Sequence, residues 1–249
     1  MIPSPELLLY SAAVFLLAGL VKGVLGLGLP TVVIALLALA LPPAQAAALL
    51  LVPSFVTNVA QGAVGGHLVH LSRRLWPAAL GLVLGTASGG WLAAAAFGPE
   101  AGAATRTALG LTLVVYAATA LAGRVPAFAP GAERLLGGPA GFLSGVMGAS
   151  CGVFVFPIAP FLQALGLGRS ELSQALGLAF TVATLALAGS LARAEQLGPG
   201  DLLWSAAGVL PALAGMALGM RLRDRLQPRV FRLVFLLGLA AVGLHLALA

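Results

Sequence analysis

Residues 19–28 read Gly-Leu-Val-Lys-Gly-Val-Leu-Gly-Leu-Gly, and residues 141–148 read Gly-Phe-Leu-Ser-Gly-Val-Met-Gly. One Gly-x-x-x-Gly-x-x-Gly frame thus stands twice, 122 residues apart, each time inside an apolar run. Glycines at this spacing serve either close helix packing or a helix break. Farther along, Ser54, Thr57 and Gly62 match Thr181, Thr184 and Gly189 at an offset of 127. Trp76 matches Trp204, and Gly85 and Gly89 match Gly215 and Gly219. The chain therefore reads as one transmembrane domain, 1–249, made of two repeats at about 6–122 and about 135–249.

Composition says why that domain belongs in a bilayer. Of 249 residues, 60% are hydrophobic and 8% charged, against about 25% charged in a soluble domain. With lipid as the solvent, the backbone must satisfy its own hydrogen bonds, which leaves helices or a closed barrel. Unbroken runs such as Ala46 to Val52 and Leu233 to Val242 lack the alternation of a barrel strand. The fold expected is all-α and polytopic. Ten apolar segments are read at 6–22, 26–41, 44–66, 74–97, 103–122, 135–149, 152–166, 170–193, 201–221 and 229–248. Pro42-Pro43, Gly98-Pro99, Gly123 to Pro130 and Gly198-Pro199-Gly200 punctuate them. The first, second, sixth and seventh are short for a span of about 20 residues, so short broken or re-entrant helices are expected at the glycine-rich junctions.

Charge gives orientation. Arg73 and Arg74 in the 67–76 loop, and Arg223, Arg225 and Arg229 against Asp224, belong in the cytoplasm. Arg124 and Arg134 join them, while Glu100 and Glu195 mark outer loops. Both termini are then outside. Five segments per half is an odd number, so the repeats must be inverted, an arrangement typical of transporters that rock around a midplane site. The net charge of +6 is dispersed except for Arg221 to Arg232 and is no nucleic-acid footprint. Met1 to Glu6 has no basic stretch, so no cleaved signal peptide is expected.

Candidate site residues lie on two polar stripes and two junctions. Ser54, Thr57, Asn58 and Gln61 fall at i, i+3, i+4 and i+7 on one helix face. Ser170, Ser173, Gln174, Gly177, Thr181 and Thr184 form a second stripe. They read either as a hydrogen-bonding wall of a substrate path or as interhelical bonds worth roughly 0.6 kcal/mol each. Lys22, the only lysine, stands at the first junction and reads as an anion-attracting group or a snorkelling side chain. Gly148-Ala-Ser150-Cys151-Gly152 fits Gly-x-Ser-x-Gly, which raises an intramembrane serine hydrolase using Ser150, with His245 as its base. Cys151 reads as a packing residue or a reactive thiol. A non-transporting scaffold or biogenesis factor is the remaining alternative, with no long loop to recruit partners. His67 and His70 have no third ligand nearby, so no metal and no cofactor are expected. No acid stands in mid-segment, so a coupling ion is not legible.

At these junctions the chain resembles the TauE/SafE family of membrane exporters. Gly141 to Gly148 and Val153-Phe-Val-Phe-Pro157 resemble the second copy of the family's glycine-rich motif, and Gly19 to Gly28 the first. Leu29-Pro30 after Gly28 and Ser150-Cys151 before Gly152 depart from a triple-glycine form. The resemblance implies a multi-pass inner-membrane exporter of sulfite, organosulfonates or related sulfur anions, with its site at Gly23, Gly26, Gly28, Gly145, Gly148 and Gly152. With the residues' own chemistry, Lys22, Asn58, Gln61, Ser150, Cys151, Thr181 and Thr184 complete the expected substrate-binding set. Expected partners are a small anionic substrate and the lipid bilayer, without nucleic acid; a homo-oligomer stays open.

Overall fold

The computed structural model describes residues 4–97, 101–123, 128, 131–223, 225 and 227–248. Glu100, Arg124 and Asp224, used above for orientation, and the Gly98-Pro99 turn lie outside the described residues. The described chain is helical: α1 Pro5–Leu25, α2 Leu29–Leu37, α3 Pro43–Ala63, α4 Leu68–Phe97, α5 Ala101–Ala122, α6 Ala132–Cys151, α7 Val155–Ala164, α8 Arg169–Arg193, α9 Pro199–Ala207, α10 Val209–Leu222 and α11 Pro228–Leu248. Helices α9 and α10 abut at Gly208 and form one apolar stretch. Seven stretches are long and apolar enough to cross a membrane: α1, α3, α4, α5, α8, α9–α10 and α11.

The expected short pairs need correction. Helix α1 has 21 residues and α6 has 20, enough for a full crossing by length. Only α2 and α7 are short, with 9 and 10 residues. The first two glycines of each frame continue their helices, with a partner backbone against each. A Cβ on Gly19 would land on the Ala212 carbonyl of α10, and one on Gly23 on the Met216 carbonyl. On α6, Gly141 and Gly145 meet the Ala78 and Leu82 carbonyls of α4. The breaks come later, at Gly26 (φ 77°) and Gly152 (φ 77°), whose N–H groups return to Lys22 O and Gly148 O. Such left-handed C-caps suit glycine. Arg73 and Arg74 likewise sit on α4 rather than in a loop, where Arg74 Nε donates to Glu133 Oε2 of α6 at 3.1 Å.

The packing has a regular pattern. Helix α1 lies along α10, and α4 along α6. Both pairs run parallel: Gly19 faces Ala212 while Gly23 faces Gly219, and Gly81 faces Gly138 while Gly85 faces Phe142. Helices α3 and α8 cross antiparallel, with Gly62 on Gly177 and Gly65 on Gln174. Helices α5 and α11 are also antiparallel, with Gly110 on Ala247 and Ala120 on Arg232.

Side chains repair what proline removes. Pro53 in α3 has no N–H to reach Leu49 O. Ser205 of α9 donates to that carbonyl at 2.7 Å and accepts from Val52 N at 3.0 Å. Inside a bilayer such a replacement donor is required. Ser205→Ala is expected to cost about 1–3 kcal/mol, measured as a lowered melting temperature in detergent. Gln174, fully buried, plays a similar part at the α3–α4 turn. It donates to Gly62 O at 2.8 Å and accepts from His67 N at 2.9 Å.

Candidate functional site

The first junction, the α3 stripe and the α8 stripe converge. Lys22 stands on the last turn of α1, where the αL turn at Gly26 ends the helix. Its side chain does not snorkel; only 2% of it is exposed. Nζ donates to Thr57 Oγ1 at 3.1 Å and to Asn58 Oδ1. Asn58 Nδ2 in turn donates to Thr184 Oγ1 of α8 at 3.4 Å. One turn farther, Gln61 Nε2 donates to Gly26 O at 2.7 Å and to Ser173 O at 2.9 Å. This ties the helix break to both stripes.

The electrostatics are lopsided. The ion pairs among the described residues are His67–Glu171 and Arg74–Glu133, and neither involves Lys22. Its ammonium is buried against neutral oxygens only. Burying a charge without a counter-ion costs several kcal/mol. The neighbouring stripe also carries unused hydrogen-bonding capacity: Ser54 Oγ and Gln61 Oε1 are buried and without partners. An anion would complete the ammonium and the Ser54 hydroxyl; Gln61 Oε1 only accepts, and calls for a donor instead.

The second junction is built differently. Ser144 takes the position equivalent to Lys22 and accepts from Ile158 N of α7 at 2.8 Å. A Cβ on Gly148 would meet the Phe154 ring, and one on Gly152 would meet Ile34 of α2. At Gly26 the same test finds open space. Thr181 Oγ1 donates to Gly177 O at 2.7 Å within its own helix. Ser150 donates to Val146 O at 2.8 Å and to Gly89 O at 3.4 Å, not to a histidine. Cys151 is buried and donates to Met147 O at 3.0 Å. The hydroxyl geometry of a serine hydrolase is therefore missing at Ser150. Fluorophosphonate labelling of the wild type is expected to equal that of Ser150→Ala, read by gel fluorescence.

The structure brings together Lys22, Asn58, Gln61, Gly26 and Thr184 of the expected set, and adds Ser54, Thr57 and Ser173. Gln174 of the second stripe forms bonds to Gly62 O and His67 N, the interhelical role offered for that stripe, whereas Ser205 went unassigned from sequence. Pro53 did signal that Leu49 O needed a donor, but not which helix would supply it.

Neither the curated proteins nor the solved structures contain a match to the chain. The family model of the sulfite exporter TauE/SafE matches residues 11–246. With a helical bundle able to cross the bilayer at least seven times and a buried cation at its first glycine break, the chain belongs to the TauE/SafE family of membrane transporters.

Proposed function

We propose that the chain is a secondary transporter that exports a small sulfur-containing anion, sulfite or an organosulfonate, across the inner membrane. The carrying observation is the Lys22 ammonium, buried against Thr57 and Asn58 with no carboxylate. Lys22 attracts the charge. Asn58, Thr184 and the backbone around Gly23, Gly26 and Gly28 hydrogen-bond the oxygens, and Gln61, whose amide nitrogen holds Gly26 O and Ser173 O, shapes the break beside them. The second junction, with Gly145, Gly148, Ser150, Cys151 and Gly152, and Thr181 of α8 make up the rest of the substrate path in this reading.

The repeats, α1–α5 and α6–α11, are inverted in this reading, with both termini outside. The helix directions support it. A twofold axis in the membrane plane pairs equivalent helices antiparallel, as α3 and α8, and α5 and α11, are paired. The same exchange maps the α1–α10 pair onto the α6–α4 pair. Inverted repeats around broken helices suit alternating access.

Proteoliposome flux with radiolabelled sulfite and a taurine-like sulfonate tests the function. Saturable flux of either supports it; no flux of any small anion in either direction sinks it. Cysteines placed at Arg73 and Glu195 test the inversion, since impermeant labelling from one side should reach only one of them.

A further inference from the structure

The largest cavity described does not include Lys22. It is a crevice of about 570 Å³ between α5, α6, α7 and α11. Its walls are mostly apolar, with Leu143, Phe156 and Phe235 among them, but Tyr116, Thr119 and Gln163 also line it. Leu136 and Leu143, two turns apart on α6, are 38% and 53% exposed, so the crevice opens sideways over about two turns of that helix. In a bilayer that side faces acyl chains. One guanidinium stands in the crevice: Arg232 near the start of α11, exposed, its Nη2 donating to Ala120 O at 2.8 Å. Arg229 in the first turn of α11 and Arg225 just before that helix are also exposed.

This is an apolar, chain-shaped slot with positive charge at one end. From the geometry we infer that the crevice binds one anionic phospholipid, its phosphate on Arg232 and the neighbouring arginines, and one acyl chain laid along α6. Charge complementarity argues for this occupant. The arginine-rich end is the one that charge bias assigns to the cytoplasm, whose leaflet carries the anionic lipids. Basic pockets between transmembrane helices on that side bind such headgroups. A zwitterionic lipid fills the slot equally well but gains less from the arginines.

The test uses the full chain in detergent micelles, with lipid retention read by native mass spectrometry. The probes are phosphatidylglycerol and phosphatidylcholine with identical chains. Phosphatidylglycerol is expected to be retained at least about fivefold better, since Arg232 alone contributes about a fivefold preference. Arg232→Ala is expected to remove about fivefold of that preference and to leave phosphatidylcholine retention unchanged. Leu143→Trp, at an exposed position, fills the slot and lowers retention of both lipids. Equal retention of the two lipids by the wild type overturns the proposal, as does retention indifferent to both variants. Displacement of the lipid by a water-soluble sulfonate also overturns it, and assigns the crevice to the transported anion.

Discussion

Lys22→Met is expected to lower small-anion flux in proteoliposomes more than about tenfold while the protein stays folded. A charge-assisted hydrogen bond contributes about 1.5–3 kcal/mol, and about 1.4 kcal/mol is a factor of ten in affinity. Met keeps the volume and the unbranched stem but removes the cation. Thr57 and Asn58 lose a donor; Thr57 still donates to Pro53 O at 2.8 Å. The sign of the stability change is the sharper part. Lys22 is buried without a carboxylate, and taking such a charge out of water is costly. The melting temperature of Lys22→Met in detergent should therefore equal or exceed that of the wild type. A residue needed only for folding would move both readouts down together. Undiminished flux would remove Lys22 from the substrate path.

The second large effect is on assembly. Gly141→Leu is expected to destabilise the protein by more than about 3 kcal/mol, seen as loss of the monodisperse peak in size-exclusion chromatography. Overpacking a core side chain costs about 1–3 kcal/mol. Here the neighbour is not a side chain that can turn away. A Cβ on Gly141 would fall on the Ala78 carbonyl, and α4 would have to move outward as a whole. Gly90, exposed and with nothing within 4 Å of the same construction, supplies the control. Gly90→Leu should leave the peak and the melting temperature in place.

Much of this fold could be read from the chain. The segment count, the punctuation at Pro42-Pro43 and Gly198-Pro199, and the polar face of Ser54, Thr57, Asn58 and Gln61 all reappear in the structure. The helix ends at the junctions did not follow from the glycines. Gly23 and Gly145 look like Gly26 and Gly152 in sequence. The first two hold another helix at backbone distance, and the last two turn left-handed; only the partner helix separates these uses. The site was half legible for a related reason. Lys22 and Asn58 each stood out alone, but nothing local says that the α1 ammonium reaches the α3 amide. Ser205 stayed hidden because it serves a backbone group of a different helix, and the partners of Gln174 could not be read for the same reason.

The glycine contacts also limit how the bundle can deform. The two tightest seams, α1 against α10 and α4 against α6, each join a helix of the N-terminal half to one of the C-terminal half. Sliding one half over the other as a block would tear both seams at once. The rigid bodies of any conformational cycle are therefore chimeric, each stitched from both halves of the polypeptide. The α3–α8 crossing ties the two halves together a third time, by backbone contact at Gly62 on Gly177 and by side-chain amides and hydroxyls beside Lys22.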